Sequence, residues 1–297
     1  MEEVERLIEK LKKYRERIER PLTKKKVKLK ERYTITGDII SYKICPRQYG
    51  LYKFYGFSPS NPTQEWYGSI IHRLLKRLHT TYRIEKRIVK DEREIEKLFN
   101  LIEISMESEG RRASSPKARE KALQVIITFC KKYGEELIPK IKEAELRLLK
   151  EMDNYILYGI VDAVLNNEEY EIWDYKGMER PDPKKPSGKK KIELYKKQLF
   201  VYGYLFKERN GNYPKKGVLM FLNELLKEKG EPFLEIEFDR KETIREVEDF
   251  IREFSEIVKE IEKSKEENRW ELPKEIDEKV CKQCDFKFDC ERFRNSL

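Results

Sequence analysis

The chain has 297 residues, enough for one elaborated domain or two packed units with a sizeable core. Charged residues make up 41% and hydrophobic ones 38%, but 14 Phe, 17 Tyr and 3 Trp recur along its length, which argues against wholesale disorder. No run approaches the ~20 apolar residues of a membrane span, so a membrane protein is excluded. The net charge of +9 is localised: residues 1–32 hold 13 Lys/Arg against 7 Glu, and residues 180–191 hold 6 Lys/Arg against one Asp, leaving the rest near neutral. Such segments suit a polyanion such as nucleic acid and equally a plain solvated face.

In chain order, Val4, Leu7, Ile8, Leu11, Tyr14 and Ile18 stand at helical spacing, predicting an amphipathic helix over 1–20 ended by Pro21. That segment lacks the apolar stretch and small-residue cleavage site of a secretion signal, so a cytoplasmic protein is expected. The bias to Lys, Glu and Ile resembles a thermophile's composition. Beyond a lysine-rich connector, Asp38 is the expected N-cap of IISYKICPRQYGLYKFYG, with Cys45-Pro46 near its middle. WYGSIIHRLLKRLHTTYRIEKRI reads as a long helix, and residues 91–142 as further charged helices interrupted by GRRASSPK at 110–117.

From Glu143 the period changes from helical to strand-like. AELRLLKEM, NYILYGIVDAVLN and EYEIWDYKG are three β-rich runs separated by the turn signals Asp153-Asn154 and Asn166-Asn167. A Pro/Gly/Lys loop spans 180–190, and IELYKKQLFVYGYLFKERN returns to helical spacing. KGVLMFLNELL and PFLEIEF read as strands, 241–266 as a long charged helix, and a cysteine-rich tail follows.

Strand alternation along EIWDYK puts Asp174 and Lys176 on one face, where a neighbouring strand can bring Asp162 beside them. Two converging carboxylates repel unless a cation lies between, and Mg2+ or Mn2+ is the natural one for hard oxygen ligands. Lys176 beside them can hold or deprotonate a water. Gly68-Ser69-Ile70-Ile71-His72 adds an imidazole suited to a mixed metal site, although for His72 in isolation an ordinary hydrogen-bonded helix histidine is the preferred reading. Gln198 and Tyr202, at i and i+4, share a helix face fit to grip a phosphate and stack on a base, with a core role for Tyr202 as the plainer reading. Lys189, Lys190 and Lys191 are candidate phosphate contacts. Cys281, Cys284 and Cys290 (C-x2-C-x5-C) supply three thiolates of a metal site, Cys45 is the candidate fourth, and Cys130 reads as a buried helix cysteine. Four soft ligands admit zinc or an iron–sulfur cluster.

These motifs in this order (Cys-Pro, Gly-x-x-x-His, Gly-x-x-Asp, Asp-x-Lys, Gln-x-x-x-Tyr, C-x2-C-x5-C) resemble the iron–sulfur branch of the RecB-like PD-(D/E)XK nucleases over about residues 34–293. That branch includes the CRISPR-associated Cas-four exonucleases and the exonuclease-five type; the Asp-led Trp-Asp-Tyr-Lys-Gly is nearer the latter. The resemblance implies an α/β, restriction-endonuclease-like mixed sheet flanked by helices, with a helical insertion and an iron–sulfur subdomain formed by both chain ends. It further implies metal ligation by His72, Asp162, Asp174 and the main-chain carbonyl of Tyr175, catalysis by Lys176, and a 4Fe-4S cluster on Cys45, Cys281, Cys284 and Cys290. The expected division is a basic helix and connector (1–33), Cys-Pro and Gly-x-x-x-His helices (34–79), a helical insertion (80–142), a nuclease core (143–240), and a C-terminal helix with the cluster tail (241–297). The function so implied is a Mg2+- or Mn2+-dependent exonuclease on single-stranded DNA ends, in CRISPR spacer acquisition or DNA repair, with an integrase or a helicase as partner. The rival readings are a non-catalytic nucleic-acid adaptor and a zinc-stapled structural protein.

Overall fold

The computed structural model describes residues 2–19, 30–58, 62–273, 276 and 278–291. It divides into residues 1–31 and residues 32–297. The first unit is helix α1 (Glu2–Glu19), whose Val4, Leu7, Ile8 and Leu11 are exposed. Pro21, expected to end that helix, lies outside the described residues.

The second unit is a six-stranded mixed sheet between two helical layers. Its strands are β1 (Arg32–Tyr33), β2 (Ile141–Glu151), β3 (Ile156–Asn167), β4 (Glu169–Lys176), β5 (Lys216–Phe221) and β6 (Phe233–Glu237), in the order β1-β3-β4-β5-β6 with β2 also on β3. β2, β3 and β4 form the antiparallel meander that the two turn signals predict, β4 and β5 run parallel, and β6 returns antiparallel. β4 and β5 alternate between the layers: Ile172, Leu219 and Phe221 enter one core, Trp173, Tyr175, Val218 and Met220 the other. Burial on both faces explains why these strands read as continuous apolar runs.

One layer consists of α7 (Pro186–Asn210), α8 (Lys241–Glu266) and the segment 34–54. The other consists of α4 (Pro62–Glu85), α5 (Glu92–Ser108) and α6 (Pro116–Leu137). Their ends follow local chemistry. Asp91 caps α5 by accepting from Glu94 N–H, Ser115 with Pro116 starts α6, and Gly211, at φ +87°, ends α7 in the left-handed region. α8 buries Val247, Phe250, Ile251, Phe254, Val258 and Ile261, a stripe of helical period.

Segment 34–54 comprises a π-helical stretch Ile35–Ile40, α2 (Ser41–Ile44), α3 (Pro46–Tyr49) and a second π-helical stretch Gly50–Phe54. Its cap is Thr34, not Asp38: Thr34 Oγ1 accepts from Gly37 N–H and donates to the Asp38 carboxylate, which therefore sits inside the first turn as a brace. Two boundaries also move. KGVLMF is strand but Leu222–Leu226 is a 3-10 turn, and α7 begins at Pro186 within the expected loop, so Lys189, Lys190 and Lys191 lie on a helix. A helix start containing three lysines is electrostatically poor, which is why the sequence reads there as loop. Among the described residues, no helix is long and apolar enough to cross a membrane.

Candidate active site

The backbone creates the site by a fork. β3 and β4 pair from Asn167↔Glu169 up to Ala163↔Trp173 and then part, so Asp174, Tyr175 and Lys176 are paired only with β5. Asp162 stands at the parting, and its carboxylate replaces the missing strand: Oδ2 accepts the Tyr175 N–H at 2.7 Å. The register puts Glu145 of β2 opposite Asp162, and Glu145 has φ +48°. Alternation slips at this point, with Val161 packed into one core and Ala163 into the other. The β2–β3 register runs unbroken from Ala144↔Ala163 to Leu146↔Val161, so the slip is a local irregularity of the backbone that adds no residue. Gly159, three residues earlier, lets α7 pack closely on β3, since a Cβ there would lie 3.0 Å from the Tyr202 ring.

Asp162 therefore bridges the two layers. Its Oδ1 lies 3.1 Å from His72 Nδ1 on α4. On the other side, Asp174 and Lys176 share the face that meets α7, with Lys176 Nζ 2.7 Å from Asp174 Oδ2. Gln198 locks the pair: its Oε1 accepts from Lys176 Nζ at 2.7 Å, and its Nε2 lies 2.8 Å from both Asp174 Oδ1 and Tyr202 Oη. The Tyr195 ring stands 5.2 Å from the Lys176 ammonium, a cation–π contact.

Burial raises the Asp174 carboxyl, and Lys176 offsets this only in part because Asp162 adds repulsion. Burial lowers the His72 imidazole, but the Asp162 carboxylate outweighs it and the net shift is upward. Asp174 Oδ2 is buried, with the Lys176 ammonium as its ion-pair partner. Two hard carboxylates converging at one point suit a divalent cation. Among the described residues, however, no three His, Cys, Asp or Glu side chains are gathered into a ready-made ion site.

Gln198 and Tyr202 are 3% and 6% exposed. They brace Asp174 and Lys176 from inside and present no face to a strand, which corrects the phosphate-gripping and base-stacking reading; the amide is already spent on Lys176, Asp174 and Tyr202. Lys189, Lys190 and Lys191 are exposed and make no ion pair among the described residues. Sequence reasoning also missed His79 and Glu145, which line one small cavity together with His72, Asp162, Lys76 and Tyr175. His79 follows His72 by two helical turns, a signal that was available; Glu145 is found only through the register.

The second constellation lies at the chain ends. Cys45 is extended (φ −157°) between α2 and α3, as a residue before proline prefers, and its Sγ accepts the Gln48 N–H at 3.4 Å as the cap of α3. Cys281 and Cys284 sit on and just beyond α9 (Glu278–Lys282), and turns carry the chain on to Cys290. All four cysteines line one small cavity of about 30 Å³. Burial raises the Cys45 thiol, and Cys284 and Cys290 add to the rise. Four soft sulfur donors around one cavity fit a thiolate-bound group in chemistry, although they are not drawn together in a ligating cluster. Cys130 lies apart in the core of α6, its thiol raised to about 12 by burial.

A family model described as the PD-(D/E)XK nuclease superfamily matches residues 38–291, and the chain belongs to that superfamily. Membership makes it a hydrolytic nuclease, of a class that generally uses divalent ions such as Mg2+ or Mn2+. No curated protein matches the chain. Among solved structures, SSO0001 is 15% identical over 90% of this chain and 89% of its own, with a TM-score of 0.39. Protein VC1899 from Vibrio cholerae is 16% identical over 57% of this chain and 55% of its own, with a TM-score of 0.17.

Proposed function

We propose that the protein is a divalent-metal-dependent exonuclease acting on single-stranded DNA ends. The observation that carries this reading is the convergence of Asp162, Asp174 and Lys176 at the β3/β4 fork, on side chains already fixed by His72, Tyr175 N–H and Gln198. Asp162, Asp174 and the Tyr175 carbonyl would hold the ion, with His72 orienting Asp162 and within reach as a further ligand. When bound, the ion supplies positive charge that polarises the scissile phosphate and acidifies a water. Lys176 Nζ orients that water and neutralises charge growing on the phosphoryl oxygens. Gln198 accepts a proton of that ammonium in a hydrogen bond and so keeps the nitrogen aimed at the fork. Lys189, Lys190 and Lys191 at the exposed start of α7 contribute sequence-independent phosphate contacts.

The same reading assigns a structural 4Fe-4S cluster to Cys45, Cys281, Cys284 and Cys290, supported by their shared cavity. It would clasp the Cys-Pro segment to the C-terminal tail, in a protein working in CRISPR spacer acquisition or DNA repair beside an integrase or a helicase. The deciding experiment is incubation with end-labelled single strands, blocked at one end or the other, plus Mn2+. Progressive shortening from a free end, absent in Asp174→Ala, is the expected result. Binding without hydrolysis under Mg2+ or Mn2+ would replace the enzyme by an adaptor.

A further inference from the structure

Beside the thiol cavity, and sharing Cys290 with it, is a second cavity of about 350 Å³ that the hydrolytic chemistry does not use. Its lining includes Arg47, Tyr55, Asn268, Trp270 and Phe286. The segment 49–57, YGLYKFYGF, sends five aromatic side chains toward the C-terminal part of the chain. Tyr49 and Phe54 lie 5.9 and 5.6 Å from Trp270, and Tyr52 and Phe57 lie 5.4 and 5.3 Å from Phe286, centroid to centroid. The aromatic cluster is open to solvent: Tyr55 in the lining, and Phe54 and Phe57 packed against the lining rings of Trp270 and Phe286, are 48%, 44% and 53% exposed. Leaving three neighbouring aromatics wet is costly for a soluble surface and marks an interaction site.

Polar groups around the floor choose the occupant. Arg47 spends only Nε, on the Trp270 carbonyl at 3.3 Å, and its terminal nitrogens have no partner among the described residues. Asn268, held at φ +51°, accepts from Tyr55 Oη at 2.6 Å, which leaves its amide hydrogens undonated among the described residues. Asp289 is the single carboxylate in the lining. Flat rings flanked by a guanidinium, an amide donor and one carboxylate match a heteroaromatic base with a phosphate attached: rings for stacking, amide and carboxylate for the base edge, guanidinium for the phosphate. A volume of about 350 Å³ falls at the lower end of the ~300–1,000 Å³ of ligand pockets. A protein side chain would fit the rings, but it would not use the guanidinium and base-edge groups together.

We infer that this cavity is a base-stacking subsite for an unpaired nucleotide of single-stranded DNA, separate from the hydrolytic fork. The inference deepens the nuclease reading and rests on it for the nature of the ligand. The subsite holds a strand through its bases, complementing phosphate contacts that are blind to whether bases are paired. Duplex DNA, with its bases already stacked, cannot enter.

The test is fluorescence anisotropy of the full-length protein, in EDTA to prevent cleavage, with labelled oligo-dT and with a strand of the same length made of abasic sites. Tyr55→Ala and Phe286→Ala should each weaken oligo-dT binding about tenfold, leave the abasic strand unaffected, and preserve the melting temperature; Tyr55→Phe should bind like wild type. Unchanged oligo-dT affinity in the folded Ala variants overturns the subsite and gives the patch to a protein partner. Equal loss on both strands also overturns it, since the effect would then be on phosphates. Should the Ala variants melt early, photocrosslinking of an iodouracil-bearing strand to wild type decides: adducts within 47–57 or 268–286 support the subsite, and adducts only elsewhere overturn it. Mn2+-dependent cleavage, measured separately, survives failure of the subsite, whereas its absence removes the nuclease reading itself.

Discussion

The fork midway along β3, where β4 parts from it, and the thiol cavity at the chain ends each collect four or five reactive side chains, but they are held by different means. At the fork, Asp162, Asp174, Lys176 and Gln198 stand on long strands and a long helix, and every partner distance is already that of a hydrogen bond or ion pair. In the thiol cavity, Cys45 follows a four-residue helix and Cys281, Cys284 and Cys290 sit on one short helix and a run of turns. The fork is pre-organised by packing, so an ion adds chemistry and little architecture. On the proposed cluster reading the cavity would depend on the group joining its sulfurs, because Cys45 and Cys281 are 236 residues apart and loop closure opposes their meeting.

Breaking the fork should therefore affect rate and not stability. Asp162→Asn or Asp174→Asn is expected to lower cleavage by about three orders of magnitude or more, as would EDTA, while the melting temperature holds or rises because a buried charge has been removed. Undiminished cleavage in either variant would remove the site assignment.

Breaking the cavity should do the reverse. Replacing Cys45, Cys281, Cys284 or Cys290 by Ala should bleach the anaerobically purified protein and lower its melting temperature by on the order of 10 °C, with activity falling as a consequence. Cys130→Ala should keep its colour. A full iron complement in a Cys45 variant would show the fourth ligand to be another group, and zinc in place of iron would make the clasp a zinc site.

Gln198→Leu sharpens the comparison, since it removes the brace and leaves the ligands. Cleavage should fall about 10- to 100-fold with metal affinity nearly unchanged. A loss confined to metal affinity would mean that Gln198 serves Asp174 and not Lys176.

Acid should reveal a buried imidazole in the frame around the fork. His79 is buried with neither ring nitrogen hydrogen-bonded, and burial pushes its pKa from 6.5 down to about 4. An unfolded imidazole takes a proton below about pH 6.5, whereas the folded one does so only near 4, so the unfolded state binds more protons in that window. Stability should therefore fall as the pH drops through it, by up to about 3 kcal/mol, and His79→Leu should flatten that slope in urea titrations. The smallest effect is expected from replacing Lys189, Lys190 and Lys191 by Ala: a shallower dependence of DNA binding on salt, with the fold untouched.

Much of this was legible in the sequence, because it depends on short-range periodicity. The 2-residue alternation of EIWDYK put Asp174 and Lys176 on one face, the 3.6-residue stripe of 241–266 marked α8, and Asn/Asp turn signals bounded the meander. Cys-Pro was equally local, since the residue before proline prefers an extended backbone and thereby breaks the helix at Cys45.

Tertiary structure decided what depends on register and layer. Only the parting of β3 from β4 makes Asp162 a partner of Tyr175 N–H and at the same time of His72 in the opposite layer, and only the register of β2 on β3 places Glu145 across from it. Helical spacing paired Gln198 with Tyr202 but could not tell inside from outside, because a polar amide is buried only where specific donors and acceptors, here Lys176 and Asp174, arrive from another element to satisfy it. The aromatic floor over Trp270 was invisible for the same reason: its rings come from segments more than 200 residues apart, and contacts between such segments are encoded in how the layers pack and leave no period in the chain.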